Sequence, residues 1–386
     1  MRICSPHCGL APETTSGGET YEREVLVRLA RSGVAIDVIL ARGKSYPEQV
    51  DNLHVTRFPI TRGLRWYIAP FIVPAAIRAV YDRSPFDILR VHSLRYIGPS
   101  ALLARRRYRL EVPIISHHHH LDSDPLNGLI EKRVVEASER VVTVSEFSKR
   151  QLVEDLDVRV EHVTVIHNGV DEAFSPGLRD AGLAERLGLG SEPVGMFLGG
   201  LKRRKNLRFL LEVWRDVVAR LKGATLLVCG SGEEESRLKQ AAKDIGIQRQ
   251  VIFAGHISES EKVRFYRLAQ VFISVSSLEG FGLSVAEAMS CGLPVVVARQ
   301  GALPELVGSS PGARVCQPGS RSEFAEAILG FASAEEVRRQ GGEANRQRVN
   351  AYFRWPRAID AMKAAYAETL ARWSADRARV ATRTSL

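Results

Sequence analysis

No stretch of this 386-residue chain holds the roughly 20 consecutive apolar residues of a membrane-spanning helix. The opening residues, MRICSPHCGL, lack the apolar core of a secretory signal, so the expected location is the cytoplasm. Cysteine is scarce. Cys4, Cys8, Cys229, Cys291 and Cys316 are an odd number, widely scattered, which argues against a disulfide framework and fits a reducing compartment. Cys4, His7 and Cys8 lie close enough for a metal clip, but no second ligand pair follows at zinc spacing. The other reading is a strand end and loop with two small, half-buried residues. No recognised nucleic-acid module occurs along the chain, so nucleic acid is not an expected partner. No GxGxxG directly follows the first strand, which weakens a nicotinamide-dependent oxidoreductase.

What is present points to a soluble two-domain protein. The length exceeds the roughly 250–300 residues at which a single core stops growing. Apolar residues make up 45% and charged residues 25%, a globular balance. The formal net charge is +10, partly in local clusters such as Arg105, Arg106, Arg107 and Arg109. Such a surface attracts anions in general, from nucleotides to an acidic leaflet.

Short Val- and Ile-rich runs alternate with amphipathic stretches. The runs are AIDVIL at 35–40, VPII at 112–115, RVVTVS at 140–145, VTVI at 163–166, VGMFLG at 194–199, ATLLVCG at 224–230, VIFAG at 251–255, VFISV at 271–275 and PVVVA at 294–298. Continuous apolar strands suit a parallel sheet buried on both faces. Between them, stretches such as YEREVLVRLARSG and NLRFLLEVWRDVVARLKG space apolar residues three and four apart and read as helices. The expected fold class is therefore α/β, with helices on both faces of each sheet. The alternation pauses at 168–193, rich in Gly, Pro and Asp, which reads as a linker with one short helix. The expected divisions are 1–167, the linker 168–193, 194–353, and a helical, basic-ended segment 354–386. Two open sheets would face each other across a cleft, with ligands outside the carboxyl ends of the strands.

The segment 275–298, VSSLEGFGLSVAEAMSCGLPVVVA, is the most informative. A strand runs into Ser276 and Ser277, then a turn Glu279-Gly280-Phe281-Gly282, then a helix from about Ser284 that Gly292 stops. Glycines before a helix let backbone approach a ligand, and the unpaired N–H groups of the first turn favour a diphosphate. Glu279 and Glu287 bracket this turn. Glu287 has two readings: hydrogen bonding to sugar hydroxyls, or closing a capping box with Ser284. Glu279 is either a ligand-binding carboxylate or a plain loop residue.

This segment resembles the EGFGL…E…CGLPVV pattern of family 4, retaining glycosyltransferases of the GT-B fold. Other stretches in the same order support the resemblance. Ser16-Gly17-Gly18-Glu19 looks like the family's N-terminal glycine loop, and His167-Asn168-Gly169-Val170-Asp171 with Phe174 and Pro176 like its interdomain link. Gly199 to Leu207, GGLKRRKNL, looks like its basic loop, and Val144 to Ser148 and Val228 to Gly232 fall where the family has comparable stretches. The similarity covers about residues 15–365.

The resemblance implies two Rossmann-like domains, the first binding acceptor and the second binding a nucleotide diphosphate sugar, with the C-terminal helices crossing back to the first. It implies Lys205 as a catalytic cation, Glu287 on the ribose hydroxyls, Glu279 near the transferred sugar, and backbone N–H groups of Gly282 and Leu283 on the diphosphate. Gly17 and Gly18 would contribute to donor binding, and Glu305 in ALPEL is a further candidate near the nucleotide. Where many members carry an arginine after the first glycine, this chain has Gly200; Arg204 or Arg203 would substitute. Fixed cations aimed at the leaving diphosphate make independent sense, because its charge grows as the bond breaks. Counting from Pro113, His119 matches the histidine near the donor sugar; a slip of one residue selects His118. His117 to His120 keep a metal alternative open, with Asp122 and Asp124 close by. The implied mechanism is front-face substitution with no metal or cofactor.

Residues 61–83, TRGLRWYIAPFIVPAAIRAVYDR, are too short in their apolar centre to span a bilayer. They either lie in an anionic membrane interface, with Trp66 and Tyr67 at the boundary, or form a helix packed in the first domain and interrupted by Pro70 and Pro74. The interface reading favours a lipid-linked acceptor in envelope polysaccharide or glycolipid assembly; a glycan is the other acceptor class. Competing functions are a nucleotide-sugar epimerase on the same scaffold and a non-catalytic sugar-nucleotide sensor.

Overall fold

A computed structural model describes residues 1–7, 10, 17–41, 49–58, 65–92, 94–118 and 125–384. The chain divides into two compact units, Met1–Ile166 with Ala358–Leu386, and His167–Arg357. Each carries its own parallel sheet and its own hydrophobic core.

The first unit runs β1 (Arg2–Pro6), α1 (Gly17–Arg31), β2 (Ala35–Ala41), β3 (Leu53–Phe58), α2 (Arg65–Arg83), β4 (Ile88–His92), α3 (Ile97–Arg107), β5 (Ile114–His118), α4 (Pro125–Glu136), β6 (Arg140–Thr143), α5 (Glu146–Leu156) and β7 (Val163–Val165). Its seven strands lie in the order β3-β2-β1-β4-β5-β6-β7, all parallel. The order reverses between β1 and β4, the point where open sheets of this type leave a crevice for ligands. Strands β5 and β6 are buried along their whole length and β4 up to the half-buried His92, whereas edge strand β3 is buried only at its two ends, Leu53 and Phe58. That pattern is why its polar LHVTRF sequence does not register as an apolar run. Strand β4, ILRVH, escapes for another reason: it buries Arg90 entirely.

Helix α2 is continuous through both prolines, contrary to the expected interruption. Val73, Pro74, Ile77 and Val80 form one buried stripe along it, and the stripe holds the helix against the core despite the lost hydrogen bonds. The side chains of Trp66 and Tyr67 lie outside the described residues. No helix among the described residues is long and apolar enough to cross a membrane.

The second unit runs α6 (Ala181–Arg186), β8 (Val194–Leu198), α7 (Leu207–Arg220), β9 (Thr225–Cys229), α8 (Glu235–Asp244), β10 (Val251–Gly255), α9 (Lys262–Tyr266), β11 (Val271–Ser274), α10 (Leu283–Ser290), β12 (Val295–Ala298), α11 (Leu303–Val307), β13 (Ala313–Cys316), α12 (Arg321–Ser333) and α13 (Glu335–Tyr352). Helix α14 (Trp355–Thr384) then carries the chain back into the first unit. Six parallel strands lie in the order β10-β9-β8-β11-β12-β13, with the reversal between β8 and β11. Both sheets thus follow the Rossmann plan of the GT-B fold. Residues 168–193 cluster with the second unit. Val170 N–H donates to the Phe353 carbonyl (2.7 Å), and Arg354 donates to the Asp171 carbonyl (2.9 Å). The two places where the chain passes between units are therefore tied together within the second.

Candidate functional site

The second sheet places two sequence-marked loops at its reversal point. The loop after β8 carries the basic turn, and the loop after β11 carries the glutamate turn. Arg203–Lys205 form one 3₁₀ turn, ended by Asn206 in a left-handed conformation (φ 53°) that asparagine tolerates. The two loops are stitched by one backbone and one side-chain hydrogen bond: Ser277 N–H donates to the Arg204 carbonyl (2.8 Å), and the Arg204 side chain donates from Nη1 to the Leu278 carbonyl (2.9 Å).

This stitching brings Lys205 and Glu279 into an ion pair, both side chains 12% exposed. Arg204 Nη1 stands 3.6 Å from the other Glu279 oxygen. Burial alone would raise the Glu279 carboxyl, but Lys205 and then Arg204 carry it below the usual carboxylate range. Glu279 is therefore ionised at neutral pH. Its backbone is held in turn by Ala302 N–H on its carbonyl (2.9 Å), and Gly301, at φ 59°, packs so tightly there that a Cβ would collide with the Glu279 carbonyl. Arg203 is exposed and lies in the same turn. At Gly200, an added Cβ would meet nothing nearer than the Ser231 carbonyl oxygen at 3.9 Å.

Gly282 caps α10 with φ 94° and ψ 51°, a conformation costly for residues with a Cβ, and Leu283 opens the helix. The N–H groups of Leu283 and Ser284 precede the first intrahelical bond, which Val285 N–H makes to the Gly282 carbonyl (2.9 Å), so this end offers donors and positive dipole to an anion. Glu287 does not close a capping box with Ser284. It is buried, its Oε2 accepting from the Tyr266 hydroxyl (2.7 Å) and its Oε1 lying 3.4 Å from Lys262 Nζ. Burial raises its carboxyl despite these donors. Tyr266 and Lys262, on α9, carry no motif, and nothing in the sequence marks them. Glu305, in α11, faces His167: Nε2 and Oε1 are 3.0 Å apart, and the His167 ring packs edge-on to Phe353.

In the first unit, Gly17 and Gly18 begin α1. His119 lies outside the described residues, as do His120, Asp122, Asp124 and Cys8. His118 is the last residue of β5, buried and in register with Thr143. Cys4 is buried, and burial followed by the charge of Asp37 pushes its thiol well up.

Sequence reasoning missed a buried polar network at the carboxyl ends of β1, β4 and β5. Arg90 forms an ion pair with Glu22 of α1, donates from Nε to the Tyr366 hydroxyl of α14 (2.9 Å), and lies 3.4 Å from Ser5 Oγ. Ser5 Oγ is 2.8 Å from His7 Nε2, and the Tyr366 hydroxyl is 2.8 Å from His117 Nε2. Burial would raise the Glu22 carboxyl, yet Arg90 holds it well below the usual range. Burial lowers His7 to about 3, with His92 and Arg90 adding and Glu22 opposing. His7, Glu22 and His92 bring ligand-type atoms within 4.8 Å of one another. The fixed guanidinium on one Glu22 oxygen sets a positive charge beside any cation placed there, which disfavours metal binding. No spacing in the sequence marks this network, because its members come from β1 and its end, α1, β4, β5 and α14.

The chain matches two family models, Glycosyltransferase Family 4 over residues 15–174 and Glycosyl transferases group 1 over residues 184–348. A D-inositol 3-phosphate glycosyltransferase of Mycobacterium bovis is 30% identical over 400 residues, spanning 94% of this chain and 81% of that one. An N-acetyl-alpha-D-glucosaminyl L-malate synthase of Bacillus anthracis is 25% identical over 366 residues, spanning 92% and 93%. Among solved structures, a sucrose-phosphate synthase from Thermosynechococcus elongatus superposes with a TM-score of 0.83 at 20% identity, covering 96% of this chain and 99% of that one. The reversal-point loops, the paired Rossmann sheets and these matches agree, and the chain belongs to the group 1, family 4 glycosyltransferases of the GT-B fold.

Proposed function

We propose that this enzyme moves a hexose-type sugar, with retention at the anomeric carbon, from a nucleotide diphosphate sugar to an acceptor hydroxyl. The observation that carries the reading is the Lys205–Glu279 pair, flanked by Arg204, at the reversal point and three residues before the α10 cap. The diphosphate takes the α10 first turn at Gly282 and Leu283, with Lys205 and Arg204 on its oxygens and Arg203 at the rim. Glu279 holds Lys205 in place and accepts from hydroxyls of the transferred sugar. Glu287 serves the ribose, Glu305 the nucleotide side, and Gly17, Gly18 and His119 (or His118) the sugar from the first unit, which binds the acceptor.

In the reaction, the anomeric carbon–oxygen bond breaks with its electron pair leaving on the diphosphate. The acceptor oxygen bonds the carbon from the same face, and its proton passes to the departing diphosphate oxygen. Lys205 and Arg204 stabilise the charge gathered there more than the ground-state charge. Neither step calls for a metal or cofactor.

The first acceptor reading is a glycan or lipid-linked acceptor in cell-envelope polysaccharide or glycolipid assembly, with the protein peripheral on an anionic membrane face in the cytoplasm. Phe71 is 77% exposed on α2, which packs on α3, whose last turn is Arg105, Arg106 and Arg107. The second reading is a small anionic acceptor, favoured by the names of the two relatives, which carry inositol 3-phosphate and L-malate. Incubation with UDP-, GDP-, ADP- and TDP-sugars and a panel of inositol phosphate, malate and lipid-linked glycan tests both. A product with the donor's anomeric configuration supports transfer with retention, and the acceptor consumed selects the reading. An inverted product overturns retention, and free sugar with every acceptor overturns transfer.

A further inference from the structure

We propose that Tyr366, on the C-terminal helix α14, is a positioning residue that fixes the tautomer of His117 and thereby the carboxyl end of β5. Tyr366 is fully buried and its hydroxyl touches two side chains. Arg90 is one of them, and a guanidinium only donates, so the Tyr366 oxygen accepts from Arg90 Nε. The one hydroxyl hydrogen then has His117 Nε2 as its partner, 2.8 Å away. Were Nε2 protonated instead, that hydrogen would be buried without an acceptor, which is costly. His117 is therefore the neutral Nδ1–H tautomer.

The clamp sits where it can govern the site. His117 pairs in register with His92 at the end of β4 and with Val142 on β6, and its ring meets that of Tyr366 edge-on at 5.8 Å. Arg90 and its partner Glu22 anchor the other side of the hydroxyl, beside the reversal between β1 and β4. One turn further along α14, Thr369 accepts from Arg140 Nε at the start of β6 (2.7 Å). Thus α14 grips three adjacent strands, and of these contacts the Tyr366 one lies toward the ends that open sheets use for ligands. The chain's last helix belongs to the machinery of the first unit's ligand edge.

The kinetic part rests on the proposed function, in which the first unit serves the acceptor while the second holds the nucleotide. Full-length protein labelled with ¹⁵N-histidine gives the tautomer directly, the His117 signals being assigned by their loss in His117→Gln. Wild type is expected to show an unprotonated Nε2 at His117, and Tyr366→Phe a changed tautomer balance. Tyr366→Phe should lower kcat about tenfold or more with little change in donor KM. His117→Gln, which keeps an acceptor at the ε position, should retain most of kcat, while His117→Leu should match Tyr366→Phe. The double variant Tyr366→Phe/His117→Leu should be no slower than either single one. A protonated Nε2 in wild type overturns the inference, as does a Tyr366→Phe variant that melts earlier yet turns over normally. The tautomer readout needs no turnover, so a chain inactive with every donor sinks the proposed function and leaves this measurement decisive for Tyr366.

Discussion

Lys205 and Glu279, 74 residues apart in sequence, meet as an ion pair because the loops after β8 and β11 are joined by the Ser277 N–H on the Arg204 carbonyl and the Arg204 guanidinium on the Leu278 carbonyl. The Glu279 backbone is in turn braced by Gly301, where a Cβ has no room. Gly301→Ala should therefore shift Glu279 and lower turnover by about tenfold or more, since small misplacements at reacting groups are expensive. Gly330, in the last turn of α12 with nothing within 4 Å of its added Cβ, is the control. Gly330→Ala should leave turnover unchanged and stabilise the chain by about 0.5–1 kcal/mol. Steady-state kinetics and denaturant melts on both variants check this.

Gly200 stands where the family resemblance implies an arginine, and an added Cβ there would make only ordinary contacts with the Ser231 carbonyl oxygen and Lys202. Gly200→Arg should fold normally and tighten binding of a nucleoside diphosphate by about tenfold, the worth of one added charge-assisted hydrogen bond. Calorimetric titration gives the answer. Unchanged affinity would mean that Arg204 or Arg203 already supplies that charge.

Ser284 and Glu287 have capping-box spacing, yet the carboxylate is bound by Tyr266 and Lys262. Ser284→Ala should change stability by less than about 0.5 kcal/mol, the usual range for a side chain with no special role. Tyr266→Phe should cost about 1–3 kcal/mol, because it removes a donor from a buried carboxylate. The reverse order in urea melts would restore the cap.

His7 is held neutral to about pH 3 in the folded chain, against an ordinary value of 6.5. Between these values the unfolded chain binds a proton that the folded chain refuses, so stability rises with pH across that window and falls on acidification. Glu22 acts in the same direction at lower pH: its folded carboxyl is depressed, so its contribution is present above the ordinary value of 4.5 and is lost as pH falls through the folded one. His7→Gln should flatten the profile between pH 6.5 and 3 by up to about 1.4 kcal/mol per pH unit. Urea melts at several pH values measure it.

The fold was legible wherever burial is purely apolar. Runs such as VGMFLG and PVVVA announce central parallel strands. Strand β4 was not legible, because Arg90 and His92 interrupt it, and the burial of Arg90 depends on Glu22 and Tyr366, residues that no local pattern connects. The same holds for the site. Lys205 and Glu279 stand in recognisable motifs, and the structure brings them together. Lys262 and Tyr266 reach Glu287 only through the packing of α9, a tertiary fact with no spacing signature. Likewise the prolines of α2 predict a break that a buried stripe of Val73, Ile77 and Val80 overrides.

The most direct test is nucleotide-sugar binding and turnover by wild type and Lys205→Ala, screened with UDP-, GDP-, ADP- and TDP-sugars. Binding raises the melting temperature in step with occupancy and affinity. One nucleotide class should stabilise wild type, and Lys205→Ala should keep a cooperative melt while losing that shift and about 10²-fold or more in turnover. No shift with any nucleotide sugar, or full shift and turnover in Lys205→Ala, would contradict the assignment of the β8–β11 reversal point as the donor site.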